Sequence, residues 1–182
     1  MLNASLRDIV IDDLEKILAW RNQEHIRCVM YNRDIILWQQ HLIWFNELKN
    51  NKYKLSKIFS INNDDYGVIN INNIDRYSNR CTWGFYIGEQ KSPKGTGLLL
   101  GYTTLEFIFK ELKFRKLCAE VIESNKISRS FHEKLGFKLD GTLRKHLKLN
   151  EDYQDIYMYS LFAEEWEEKR IGLKLELEER FK

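Results

Sequence analysis

Proline is nearly absent: the 182 residues contain only Pro93. There is also no Ser/Gly-rich linker, low-complexity tract or internal repeat, so nothing marks a domain boundary and the length suits one compact domain. No apolar run approaches the roughly 20 residues that cross a bilayer, so no membrane-spanning helix is expected. The first residues, Met1-Leu2-Asn3-Ala4-Ser5-Leu6-Arg7, lack the basic segment and apolar stretch of an export signal, and the expected location is the cytoplasm. Cys28, Cys81 and Cys118 are odd in number, far apart and in no paired spacing, which argues against a disulfide framework and a zinc site. No metal is expected. A net charge of +2 without a dense Lys/Arg block excludes the electrostatic footprint of a nucleic-acid binder. A small acidic ligand suits that balance better than a polymer.

What is present is globular: 43% apolar residues with 31% charged. Leu6 to Val10 reads as a short strand, after which Asp12 or Asp13 caps a helix carrying Leu14, Ile17 and Leu18 at helical spacing. A second helix, near Trp38 to Lys49, places Leu42, Phe45 and Leu48 on one face with His41 and Trp44 beside them. From Lys57 to Ile87 strands alternate with turn residues, Asn63-Asp64-Asp65 and then Tyr77-Ser78-Asn79. Leu98, Tyr102, Leu105, Ile108 and Leu112 return to helical spacing. Leu117 to Ile122 is a strand, Lys126 to Leu135 a helix closed by Gly136, and two strands follow to Leu161. The order β-α-α-β-β-β-α-β-α-β-β predicts a mixed α/β fold around a central sheet. Residues 163–182 read both ways: Glu164 to Arg170 is helical in pattern, while Leu173, Leu175 and Leu177 alternate as in a strand.

Two motifs carry chemistry. Pro93-Lys94-Gly95-Thr96-Gly97-Leu98 follows a strand and opens a helix, where free N–H groups and the helix dipole attract a pyrophosphate. A nucleotide-triphosphate loop would end in Gly-Lys-Ser/Thr, and a dinucleotide fingerprint needs a third glycine where Leu100 stands. The second motif runs from Asn125 to Phe137. On its helix Ile127, Phe131 and Leu135 form an apolar stripe, with Ser128, Arg129 and His132 on the neighbouring face. Singly, Arg129 reads as a solvated charge and His132 as a surface or capped histidine. Together with the glycine turn they read as a ligand face.

These two segments, in this order and separation, resemble the acetyl-CoA signature of the GNAT superfamily of N-acetyltransferases, over nearly residues 5 to 162. The resemblance implies a central, mostly antiparallel sheet of about seven strands flanked by about four helices, on residues 1–162, with 163–182 as a C-terminal extension. It implies that the backbone of Phe85 and Ile87 pairs with the pantetheine arm. Lys94, Gly95, Thr96 and Gly97 would hold the pyrophosphate, and Asn125 and Arg129 would complete the acetyl-CoA site. Ser92 stands where the family has Gln or Arg before the turn. His132 stands where many members have a tyrosine that reprotonates the CoA thiolate, a role that imidazolium can also fill. Glu120 is the first candidate for general base, with Glu123 second.

Trp20-Arg21-Asn22, Met30-Tyr31-Asn32, His41-Leu42-Ile43-Trp44-Phe45 and Thr82 to Gly88 are similar to the branch that acetylates UDP-linked 4-amino sugars in pseudaminic acid synthesis. That similarity implies Arg21 at the nucleotide phosphates, Met30, Tyr31, His41 and Trp44 around the uracil and sugar, and Tyr86 facing the sugar. Forked guanidinium donors suit a diphosphate, and aromatic rings suit a flat base. The bland alternative is that Trp20, Met30 and Trp44 are core. Polyamine or protein N-terminal acetylation, and a silent acetyl-CoA-binding module, are the competing functions. Gly141 to His146 and Tyr153-Gln-Asp155 recur among the spermidine and ribosomal relatives and do not discriminate. Acetyl-CoA and a UDP-amino sugar are the expected partners, and a homodimer is one assembly open to the chain.

Overall fold

The computed structural model describes residues 3–149 and 151–182. In chain order the elements are β1 (Ala4–Asp8), α1 (Leu14–Arg21), α2 (Glu24–Arg27), α3 (Trp38–Leu48), β2 (Leu55–Ile61), β3 (Asp64–Asp75) and β4 (Arg80–Ile87). Then come α4 (Thr96–Glu106), β5 (Lys116–Ile122), α5 (Lys126–Leu135), β6 (Lys138–Leu149), β7 (Asp152–Phe162) and α6 (Ala163–Arg180). One sheet takes the strands of the described residues in the order β1-β2-β3-β4-β5-β7-β6. Every neighbouring pair is antiparallel except β4 and β5, which run parallel. This is the mixed α/β plan expected from the sequence. The short α2 and the long α6 are helices beyond the expected four.

The β2–β3 turn falls on Asn62 and Asn63, whose φ values of 51° and 71° suit asparagine in a tight hairpin. Asp64 and Asp65 therefore belong to β3, and the turn lies earlier than the Asn63-Asp64-Asp65 expectation. Asp65 is drawn into an ion cluster with Arg7 and Lys16, and Arg7 also grips Asp13 at 2.7 Å. Burial pushes the Asp65 carboxyl up, but hydrogen bonds from Arg7, Lys16 and Ser60 outweigh it and hold it at about 2. The cluster fastens the start of α1 to β1 and β3.

Strands β2 to β4 are packed on both faces because their residues alternate. Phe59, Ile69, Ile71, Trp83, Leu117, Ala119 and Val121 meet α4, α5 and α6 in the main core. Ile58, Val68 and Tyr86 point the other way and pack on Ile17, Trp20 and Ile26 of α1 and α2. Trp20 is thus core, as one of the sequence alternatives had it.

Residues 163–180 form one helix, and the strand-like alternation of Leu173, Leu175 and Leu177 is overridden. Trp166, Leu173 and Leu177 recur at heptad-like spacing and are buried, whereas Leu175 is exposed. The Trp166 indole N–H donates to Glu106 at 2.7 Å, and Arg170 Nε donates to the same carboxylate at 2.8 Å. α6 is therefore packed into the main core. Trp166→Ala removes a fully buried ring and should lower unfolding free energy by about 3–5 kcal/mol. Urea denaturation checks this, and a loss below about 1 kcal/mol would mean that α6 is not part of the cooperative unit.

Candidate active site

β4 and β5 share only three pairs, Arg80 with Lys116, Cys81 with Leu117 and Thr82 with Cys118. Beyond them β4 stays on β3 as far as Ile87, and β5 stays on β7 as far as Ile122. The two strands therefore separate into an open gap. Gly88 N–H donates to Tyr66 O on β3 at 2.8 Å, and backbone groups alternate along a strand, so those of Tyr86 also face β3. Those of Phe85 and Ile87 point into the gap, as a strand that receives a pantetheine arm requires.

The gap leads to the start of α4. Gly95, at φ 101°, turns the chain in the left-handed region that favours glycine. The Thr96 hydroxyl donates to Pro93 O at 2.7 Å and closes the turn. The amides of Gly95, Gly97 and Leu98 have no protein acceptor among the described residues. A Cβ on Gly97 would meet nothing within 4 Å, so the helix start is open to a ligand. These free amides fit a pyrophosphate. Lys94 is exposed at the same turn.

At α5, Asn125 caps the helix by accepting from Ser128 N–H at 3.1 Å, which leaves its amide NH₂ free to donate outward. Arg129 lies over the Tyr157 ring at 4.1 Å and so leans on β7. His132 is only 4% exposed, among Trp83, Phe85, Phe131, Phe137 and Tyr159. Burial pushes its imidazole down to about 4, although the hydrogen bond to Ser128 O favours the charged form. Nδ1 lies 2.7 Å from that carbonyl, which assigns it the proton and leaves Nε2 as an acceptor. At neutral pH this side chain is a neutral imidazole, and the imidazolium donor expected from the sequence is not the species present. A sequence window sees the histidine but not the five rings around it.

On the opposite face, α1 and α3 with the segment between α2 and α3 roof a cavity of about 470 Å³ over β3 and β4. Arg21, Met30, His41, Trp44 and Tyr86 all line it, together with Asn70 and Asn72 of β3. The sequence did not point to those two asparagines; their inward positions follow only from the register of β3. Arg21 donates through Nη2 to Asn32 O at 2.9 Å, while its buried Nη1 has no partner. Burial lowers the basicity of Arg21. His41 stacks on Trp44 with ring centroids 4.9 Å apart, and its buried Nε2 is also without a partner. Burial pushes the Tyr86 phenol up, keeping it protonated.

Tyr31 does not line this cavity. Its hydroxyl instead donates to Glu120 Oε2 at 2.6 Å, across 89 residues of sequence. Glu120 is exposed on β5, at the gap. Glu123, the second sequence candidate, accepts from Asp155 N–H at 3.2 Å and is tied to β7.

A parallel pair that separates beside a glycine-opened helix defines an acetyltransferase architecture. The family described as Acetyltransferase (GNAT) domain matches residues 4–138, and the chain belongs to it. It is an acetyl-CoA-dependent N-acetyltransferase domain. YdaF of Bacillus subtilis strain 168, which carries a ribosomal N-acetyltransferase name, is 28% identical over 56% of this chain, and the chain spans 55% of its length. Acetyltransferase PseH of Campylobacter jejuni subsp. jejuni strain 81-176 is 28% identical over 70% of this chain and 78% of its own. The spermidine N-acetyltransferase of Vibrio cholerae, solved with CoA and spermine, superposes with a TM-score of 0.83 at 18% identity, over 90% of this chain and 97% of the other. At that identity the likeness speaks for the fold.

Two outcomes follow. Gly97→Val fills the open space at the helix start and should weaken CoA binding at least about 10-fold with melting temperature little changed, as read by calorimetry. Equal CoA affinity would detach that turn from the pyrophosphate. His132, with its folded value below the ordinary 6.5, contributes stability that is complete above pH 6.5 and lost as pH falls toward about 4. His132→Gln should therefore flatten the decline in unfolding free energy between pH 7.5 and 5; an unchanged slope would contradict the burial argument.

Proposed function

We propose that the protein transfers acetyl from acetyl-CoA to the amino group of a UDP-linked amino sugar. The observation that carries this reading is the lining of the cavity under α1 and α3. It contains one cation, Arg21, aromatic and amide side chains, and no carboxylate among the described residues. A polyamine site needs carboxylates along its length, whereas an anionic diphosphate beside a flat base matches a guanidinium and stacked rings. The similarity to PseH supports the same reading.

In this arrangement the partnerless Nη1 of Arg21 meets a phosphate oxygen, while His41 and Trp44 face the base and Tyr86 the sugar. His41 offers Nε2 as an acceptor for a base N–H. Acetyl-CoA supplies an activated thioester, and the sugar amine attacks its carbonyl carbon. Glu120 takes the ammonium proton, directly or through one water, and the Tyr31 hydroxyl holds its carboxylate at the gap. Phe85 and Ile87 hold the thioester arm by their backbone. With His132 neutral and the Tyr86 phenol pushed up by burial, the proton for the departing thiolate comes from water.

Turnover with acetyl-CoA and either a UDP-4-amino sugar or spermidine tests the reading. Arg21→Ala should raise KM for the nucleotide sugar roughly 10- to 100-fold, the value of a charge-assisted contact, and leave KM for acetyl-CoA within about 2-fold. Preference for spermidine, or equal small changes in both constants, would favour a polyamine or N-terminal acetyltransferase. No turnover with any amine would leave a silent acetyl-CoA-binding module.

A further inference from the structure

The end of α6 reaches the glycine turn. A Cβ placed on Gly95 would stand 2.4 Å from Arg180 Cδ and 3.4 Å from Phe181 Cζ, so the Arg180 side chain lies directly on the turn backbone. Its guanidinium begins one bond beyond that carbon. One arm, Nη2, donates to Glu176 Oε1 at 2.9 Å, and Lys134 of α5 donates to the same oxygen at 2.6 Å. One carboxylate thus steadies two cations, and a net positive charge remains beside the turn. Within the turn itself Ser92 is uncharged and Lys94 is exposed.

We propose that Arg180, carried by the C-terminal helix, binds the diphosphate of acetyl-CoA at the start of α4. The proposal rests on the acetyl-CoA reading of that turn. A guanidinium has five N–H donors in a planar fork, and the bond to Glu176 occupies one. The others remain for phosphate oxygens, in the geometry at which arginine exceeds lysine. The backbone amides of Gly95, Gly97 and Leu98 approach the diphosphate from the helix side. Arg180 approaches from the side of α6. Because α6 is anchored in the core by Trp166, Leu173 and Leu177, the cation is held in place before the ligand arrives.

The test compares wild type with Arg180→Gln in the full chain, titrating CoA and 3′-dephospho-CoA by calorimetry and recording the ligand-free melting temperature. The expected result is a rise in Kd of at least about 10-fold for both ligands, because both keep the diphosphate, with unchanged melting. Unchanged affinity for CoA would overturn the proposal. So would a loss confined to CoA, which would place Arg180 at the 3′-phosphate, or a loss matched by a fall in ligand-free melting temperature, which would make its role structural. Failure of wild type itself to bind CoA would refute the acetyl-CoA reading, an outcome separate from any difference between the two proteins.

Discussion

The parallel pair β4 and β5 is held by three residue pairs, while each strand is bound on its other side by a long antiparallel ladder. The sheet thus consists of two stiff halves, β1 to β4 and β5-β7-β6, joined at a short parallel seam. Each half is held in shape by its own ladder, and only the three pairs of the seam join one half to the other. Backbone groups of Phe85 and Ile87 face that gap and need a partner, which water or a ligand must supply. The chain leaves β4 and soon enters α4, so the free amides of the helix start lie at the same end. Glu120, on the half across the seam, brings a carboxylate to the gap. The site is a consequence of where the strands stop pairing.

Because β2 to β4 are packed on both faces, the apolar and the charged surroundings of the gap lie on different sides of the sheet. The α4–α5 side is apolar around the gap, with Trp83, Phe85 and Phe137 packed about His132. An imidazolium there would be desolvated and without an anionic partner, so the neutral ring wins. His132 acts as an aromatic spacer that ties α5 to β4. Charge enters from the opposite face, through Arg21, and from the rim, through Glu120.

What the sequence revealed was what depends on neighbours along the chain. The glycine turn and the Gly136 closure, which lies at φ 99°, are local features, and each was readable in place; Asn125 was read only through resemblance, as an acetyl-CoA contact, and its capping of α5 was not. The gathering of Arg21, Met30, His41, Trp44 and Tyr86 in one cavity came from resemblance, since no periodicity links those positions. The bond between Tyr31 and Glu120 depends on the fold of the α2–α3 segment over β5 and leaves no trace in either local pattern. α6 was ambiguous because leucines at 173, 175 and 177 satisfy both periods; the sheet face that Trp166 and Leu177 cover resolves it. The protonation of His132 depends on burial, which residue spacing does not encode.

The placement of charge also constrains the amine. Arg21 sits within the cavity on α1, while Glu120 stands on β5 at the gap. A ligand that spans both should be dipolar, with its anionic end toward the guanidinium and its ammonium toward the carboxylate. A linear polyamine carries cations along its whole length and would set one against Arg21. Two like charges about 4 Å apart, at an effective dielectric of about 20, repel by about 4 kcal/mol. That exceeds the about 1.5 to 3 kcal/mol returned by a single charge-assisted hydrogen bond elsewhere in the site. A phosphate at the same place reverses the sign, and the buried Nη1 gains the acceptor it lacks. On the proposed reading, Arg21, the one cation lining the cavity among the described residues, is what sets a nucleotide-linked amine apart from a linear polyamine.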